Sequence, residues 1–561
     1  MLVRTHCGLV EGEEFTTETG FAVAAFRGIP FAKPPVGERR FKKPEKVEPW
    51  SDTFSAKQWA PRAVYYKMGL PQNITQLIFP GPESEDCLYL NIFAPKNKNV
   101  ASSNGYPVMV WIHGGAFLFG GARDFGLKAL SENLVAKQII VVTIQYRLSI
   151  FGFFSTGDDV AKGNFGLWDQ TLALEWIHQN IDCFGGDAQR ISVVGESAGA
   201  ASTSALAISP HSSGLFRNMI LMSGSIFNRW ALLPKETVVD CSISVADALG
   251  CNGSSRERVE RLRQISAQQL QETSAALNPQ HLRPVFDRDF FPEDVWSLFR
   301  KAAPKPTIIG VTEMEGIFWT VPGFINSNWV VADTANLSYT SFRNCLNGFV
   351  DGLATDYMYN KQFNGDLAKS ALLDQYIHGK GDLKDPKFLF SQYTHIVGDA
   401  VIVGDVVKEV KKRLEISTGP VWFYNFQYFN PMSFPKHARK EIVLHYNCNF
   451  VDAIGAPHSA ELAYLFGKSF APLWFEFNDQ DRKIMHLMST LWTNFVKYSN
   501  PTPEQMEGLL WETTTHQHPL KYLNINLNSQ LRPAYRPEMH SFWEKSLFYL
   551  DDRRLPGKSK I

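Results

Sequence analysis

Six short apolar runs punctuate the chain: "PVMVWIHGG", "IIVVTIQYR", "RISVVGES", "FRNMILMSG", "PTIIGVTE" and "VWFYNFQYF". They are Val- and Ile-rich at successive positions, so both faces of each run are apolar. That is the pattern of parallel strands covered on both sides. Between them lie stretches with helical spacing. In "LWDQTLALEWIHQNI", Leu172, Ala173, Trp176 and Ile177 fall on one stripe and predict an amphipathic helix. Strand and helix in alternation predict an α/β layer fold, with a large, mostly parallel central sheet flanked by helices. From Ser254 to Lys301 the pattern becomes helical and polar, which predicts a helical cap insertion rather than more sheet. No internal repeat, low-complexity tract or linker-like segment interrupts the chain.

Composition narrows the function classes. Lys plus Arg and Asp plus Glu each total 56, so the 561-residue chain carries no formal net charge. The footprint of a nucleic-acid or anionic-membrane binder is missing, and no nucleic-acid partner is expected. The longest apolar runs are too short to span a bilayer, so no membrane span is expected. The N-terminal "MLVRTHCGLVEGEEF" has no apolar signal-peptide core, which predicts an intracellular, cytoplasmic protein. The final Ser-Lys-Ile is similar to a peroxisomal address and leaves that organelle open. Sequons occur at Asn73, Asn252 and Asn336, and without a secretory route they stay unmodified.

The most informative stretch is "RISVVGESAGAASTSALAISP". Arg190 to Val194 reads as a strand and Ala198 to Ile208 as a helix, with Ser197 at the corner between them. This is the G-x-S-x-G nucleophile elbow: Gly195 and Gly199 leave room for a strained turn that lifts the serine hydroxyl out of the sheet edge. The helix N-terminus behind it favours developing negative charge. A nucleophilic serine needs donors for an oxyanion, a base, and an acid to orient the base. "WIHGGAFLFGG" follows a strand, and its Gly114 and Gly115, with the N–H of Ala198, are the candidate donors. Of 14 histidines, His458 in "IGAPHSAELAYLFG" lies between a Gly/Pro loop and an amphipathic stretch, where a base could stand. Glu313 and Glu315 both follow the strand "PTIIGVT", on one face of any continuing strand, so periodicity does not choose between them.

These motifs resemble the type-B carboxylesterase/cholinesterase family of α/β-hydrolases, from about Thr5 to Trp543. "FRGIPFAKPPVGERRFKKP" resembles its N-terminal block, and "EDCLYLNIFAP" and "FGGDAQRISVVGESAG" its two signature patterns. The resemblance implies an α/β-hydrolase fold in one domain over residues 5–548, followed by a short polar tail, 549–561. It implies Ser197 as nucleophile, Glu315 as acid, His458 as base, and Gly114, Gly115 and Ala198 as the oxyanion hole. It places Phe318 and Trp319 in an apolar substrate pocket, and it allows a Cys241–Cys251 disulfide in an oxidising compartment.

There are departures. Cys87 matches a family disulfide cysteine, yet no cysteine lies between Cys7 and Cys87, so that bridge is expected to be absent and the loop near Asn73 looser. Cys7, Cys183, Cys345 and Cys448 have no evident partner, which fits a reducing interior. From Pro61 to Asp86 there is no tryptophan to hold a quaternary ammonium, which argues against choline esters. The expectation is a serine carboxylesterase that hydrolyses small esters with apolar acyl groups through an acyl-serine, without metal or cofactor. An acyltransferase using the same intermediate is the alternative, and a catalytically silent binding module ranks third. Oligomeric state is open.

Overall fold

The computed structural model describes residues 1–67, 79–96, 105–277, 279–320, 329–355, 365–416, 419–430, 455–467, 476–506 and 508–545. The Asn73 sequon, Cys448 and the Ser-Lys-Ile tail lie outside the described residues. Contacts divide the chain into two compact units. The first comprises residues 1–226, 231–307 and 486–505; the second comprises 227–230, 308–485 and 506–561.

Among the described residues, the main sheet of unit one has seven strands: β1 (Glu13–Thr16), β2 (Ala22–Pro30), β3 (Tyr89–Pro95), β4 (Tyr106–Ile112), β5 (Ile140–Ile144), β6 (Gly186–Glu196) and β7 (Asn218–Met222). Their order is β1-β2-β3-β5-β4-β6-β7. The pairs from β1 to β3, and β3 with β5, are antiparallel; β5-β4, β4-β6 and β6-β7 are parallel. The four predicted runs that fall in this unit are the four parallel strands. Every residue of β4 and β5 is buried, as apolarity on both faces requires.

The connections give this sheet its functional edge. From β4 the chain moves to β5 on one side, and from β6 it moves to β7 on the other. The gap between β4 and β6 is therefore a topological switch point, where crevices form outside the carboxyl ends of strands. Register brings those ends level: Ile112 pairs with Ile144 on one side and Gly195 on the other, and Gly195 with Leu221.

Helix α1 (Phe165–Asn180) departs from the single stripe predicted for it. Asp169, Gln170 and Thr171 are buried along with the apolar residues. Tertiary partners allow this. Asp169 accepts from the Arg147 side chain at 2.8 and 2.7 Å and from its backbone N–H at 3.0 Å, while Gln170 Nε2 donates to Ser202 Oγ at 3.0 Å. A charge completed in this way is tolerated in a dry interior. The polar stretch is helical as predicted, with helices Ser255–Leu262, Ala267–Ala276 and Val295–Lys301; the first opens on a capping box between Ser254 and Glu257. A late segment completes the unit: Ser499 Oγ donates to Asn218 Oδ1 at 3.0 Å, and Lys137 Nζ to Thr490 Oγ1 at 2.9 Å.

Among the described residues, unit two has four strands in the order Thr307–Thr312, Val421–Phe426, Tyr522–Ile525 and Gln530–Arg532. Helices Tyr339–Thr355, Gly365–Tyr376, Pro386–Gly398 and Gly404–Glu415 accompany them. Buried Asp399 accepts from both terminal nitrogens of Arg536 at 2.7 and 2.8 Å and from the Tyr376 hydroxyl at 2.7 Å. Trp543 Nε1 donates to the same hydroxyl at 2.7 Å, which ties down the last described helix, Pro537–Lys545. Among the described residues, no helix is long and apolar enough to cross a membrane.

Candidate active site

In unit one, β6 ends at Glu196 and helix α2 (Ala198–Ile208) begins one residue later, which leaves Ser197 alone to make the corner. Its φ of 55° and ψ of −122° are unfavourable for a residue with a Cβ. Two backbone bonds hold the strain: Ser197 N–H donates to Met222 O at 2.8 Å, and Ala201 N–H to Ser197 O at 2.9 Å. A serine at a helix N-cap ordinarily spends its hydroxyl on the first turn. Ser197 makes no such bond. Both glycines of the motif are sterically required. A Cβ on Gly199 would lie 2.0 Å from the Ile112 carbonyl oxygen, and one on Gly195 would lie 2.3 Å from Gly199.

The loop after β4 lies against this corner, since a Cβ on Gly114 would come within 3.1 Å of Ser197 Cβ. Gly115, Ala116 and Phe117 have φ of 100°, 55° and 63° in succession. Among the described residues, no acceptor takes the N–H of Gly114, Gly115, Ala116 or Ala198. Unclaimed N–H groups beside a serine hydroxyl are what stabilisation of a developing oxyanion needs. The Ala116 N–H was not foreseen from sequence. Its signal was weak, because alanine does not advertise a positive φ as glycine does.

In unit two the strand ends at Thr312 and the chain turns. Met314 N–H donates to Ala456 O at 2.9 Å, and Met314 bridges Pro457, which holds the His458 loop beside the turn. His458 Nδ1 lies 2.6 Å from Glu315 Oε2, with both side chains buried. The other Glu315 oxygen, Oε1, accepts from Thr312 N–H at 2.7 Å. A carboxylate only accepts, so a neutral His458 carries its proton on Nδ1 and has its lone pair on Nε2. Gly316 must follow the acid because a Cβ there would lie 2.0 Å from the Thr394 carbonyl oxygen, on the helix Pro386–Gly398 behind it.

Glu313, the alternative acid, goes elsewhere. It accepts from Gln427 Nε2 at 2.7 Å, and burial raises its pKa. The Phe318 and Trp319 rings stand 5.5 and 5.0 Å from the His458 ring, and both are half-buried. Cys241 and Cys251 are not bridged: both are buried thiols, Cys241 on the helix Lys235–Ala248 and Cys251 with its Sγ 3.7 Å from the carbonyl of Leu249, in its own turn. Cys87 is likewise a buried thiol.

The family model described as the carboxylesterase family matches residues 1–543. Esterase cest-33 of Caenorhabditis elegans is 33% identical over 556 residues, which cover 97% of this chain and 93% of that protein. Acylcarnitine hydrolase of Mus musculus is 34% identical over 557 residues, covering 97% and 90%. Juvenile hormone esterase of Tribolium castaneum is 33% identical over 549 residues, covering 94% and 88%.

Proposed function

The chain belongs to the carboxylesterase family of α/β-hydrolase fold and is a carboxylic ester hydrolase, and from that premise we propose that Ser197, His458 and Glu315 are its catalytic triad. His458 Nε2 takes the proton of Ser197 as the hydroxyl oxygen attacks the ester carbonyl. Gly114, Gly115 and Ala198 stabilise the oxyanion through their N–H groups, with Ala116 within the same run. The alcohol leaves with the proton from His458, and water, deprotonated by His458, then releases the acid from the acyl-serine. Glu315 keeps the imidazole in the productive tautomer throughout.

The observation that carries this reading is the Ser197 corner: a strained serine with an uncommitted hydroxyl beside unclaimed N–H groups. The acyl group is apolar, a choice supported by Phe318 and Trp319 beside His458 and by relatives named for acylcarnitine and juvenile hormone. An intracellular, reducing location is supported by the six described cysteines, all thiols.

Purified protein, given p-nitrophenyl esters from acetate to octanoate with and without glycerol, tests the chemistry by product mass spectrometry. Free acid should dominate with either mixture, and longer chains should be preferred to acetate. Ser197→Ala should lower kcat by about 10⁴- to 10⁶-fold and abolish labelling by a serine-reactive phosphonate. Near-normal turnover in that variant defeats the assignment. Dominant acyl-glycerol would replace hydrolysis by acyl transfer as the principal reaction.

A further inference from the structure

The oxyanion loop is held from behind by a directed chain of hydrogen bonds. Gln145, just past the end of β5, has its amide fixed at both ends: Oε1 accepts from Ala122 N–H at 3.0 Å, and Nε2 faces Tyr146 O at 3.2 Å and His113 Nε2 at 3.1 Å. An amide nitrogen only donates, so His113 Nε2 must accept and the imidazole proton resides on Nδ1. That Nδ1–H points at Gly114 O, 2.9 Å away. The peptide joining Gly114 to Gly115 is trans, so its N–H points opposite to its C=O. The bond that captures the Gly114 carbonyl therefore turns the Gly115 N–H away from His113, where no described acceptor meets it.

We propose that Gln145 and His113 are positioning residues for the oxyanion hole: Gln145 sets the tautomer of His113, and His113 sets the orientation of the peptide that offers the Gly115 N–H. The inference rests on the oxyanion role proposed above for Gly115. Further features of the structure favour a fixed ring. His113 stacks on Tyr146 at 4.5 Å and 21°, and the Tyr146 hydroxyl donates to His113 O at 2.9 Å. The ring is buried, and burial pushes its pKa down to about 4 against the opposing pull of its bond to Gly114 O, so it stays neutral with one N–H. A neutral ring with a defined tautomer can direct a peptide; a solvated one exchanges its proton between the two nitrogens.

The test compares His113→Leu, His113→Asn and Gln145→Leu in the full-length protein with p-nitrophenyl butyrate. A trifluoromethyl ketone, whose serine adduct carries an oxyanion, serves as inhibitor. His113→Leu should lower kcat by about 10²-fold, near the effect of losing one oxyanion donor, with KM changed less than about threefold. It should weaken the trifluoromethyl ketone by a similar factor. Asparagine can present an N–H to the same carbonyl, so His113→Asn should stay within about tenfold of the parent. Gln145→Leu should fall between the two.

Unchanged kcat in His113→Leu overturns the inference, as does a defect confined to KM. So does a His113→Asn variant that melts at the parental temperature yet is as impaired as His113→Leu. If His113→Leu does not fold, unchanged kcat in Gln145→Leu overturns it instead. Turnover that survives Ser197→Ala would defeat the parent reading and this inference together. A Ser197-dependent enzyme indifferent to His113 defeats this inference alone.

Discussion

Glu315 and His458, 143 residues apart in sequence, meet at 2.6 Å between Oε2 and Nδ1, with both side chains buried. The remaining carboxylate oxygen is claimed by the Thr312 N–H. Neither oxygen is spare, so the acid cannot swing away from the imidazole. Glu315→Gln keeps the shape but offers its amide nitrogen or oxygen to one partner at the expense of the other. Where the nitrogen meets His458 Nδ1, the ring proton moves to Nε2 and the base is lost. By analogy with the serine-protease acid, kcat should fall about 10⁴-fold with little change in KM. Steady-state kinetics check this, and a loss below about tenfold would contradict the role.

The Ser197 backbone stores strain that only a Cβ experiences. Ser197→Gly and Ser197→Ala should both be inactive, but they should differ in stability. At φ 55° and ψ −122° glycine pays no steric penalty, whereas alanine keeps about 1–3 kcal/mol of it. Glycine's extra chain entropy returns up to about 1 kcal/mol of that gain. Denaturant unfolding should therefore rank Ser197→Gly at or above Ser197→Ala. The reverse ranking would show that the corner is unstrained.

Close approach of α2 to β4 gives a sharper stability contrast. Gly199→Ala would place a methyl group 2.0 Å from the Ile112 carbonyl oxygen, against backbone that cannot give way. A loss of at least about 3 kcal/mol, or insoluble expression, is expected. Gly214→Ala meets nothing within 4 Å and should change stability by less than about 0.5 kcal/mol. Paired denaturation curves decide between them.

Acid should destabilise the protein before its carboxylates titrate. Burial, with the nearby charges of Arg536 and Lys411, holds buried His540 well below its ordinary pKa, so the folded state keeps it neutral. The unfolded chain binds a proton there below about pH 6.5, and the folded chain does not. Stability from this group is thus complete above pH 6.5 and declines as pH falls, by up to about 1.4 kcal/mol per pH unit. His540→Phe removes that slope. Unfolding free energies at pH 7.0 and 5.5 should diverge less for the variant than for the parent, and equal divergence would refute the assignment.

Much of this organisation was legible in the chain itself. The Ser197 elbow could be read because strand, turn and helix signals are local and the two glycines are sterically forced. The four parallel strands of unit one were legible because a short run that is apolar on both faces must be covered on both faces. Three things were not. Glu313 and Glu315 share a face on paper, and only the turn at Met314, pinned to Ala456 and Pro457, separates their destinations. The polar residues of α1 read as a solvent face because their partners, Arg147 and Ser202, lie elsewhere in the chain. The backbone of Ala116 gives no sign in its side chain that it shares the geometry of its glycine neighbours.

Unit one closes on residues 486–505, and its Asn218 finds Ser499 only 281 residues later. During synthesis, then, the portion bearing the nucleophile leaves the ribosome long before its own last segment exists. It must wait, incomplete, while residues 308–485 of unit two are made. Fragments that stop short of residue 505 should be clients of chaperones and proteases rather than small esterases, and this protein is poorly suited to dissection into independently expressed halves.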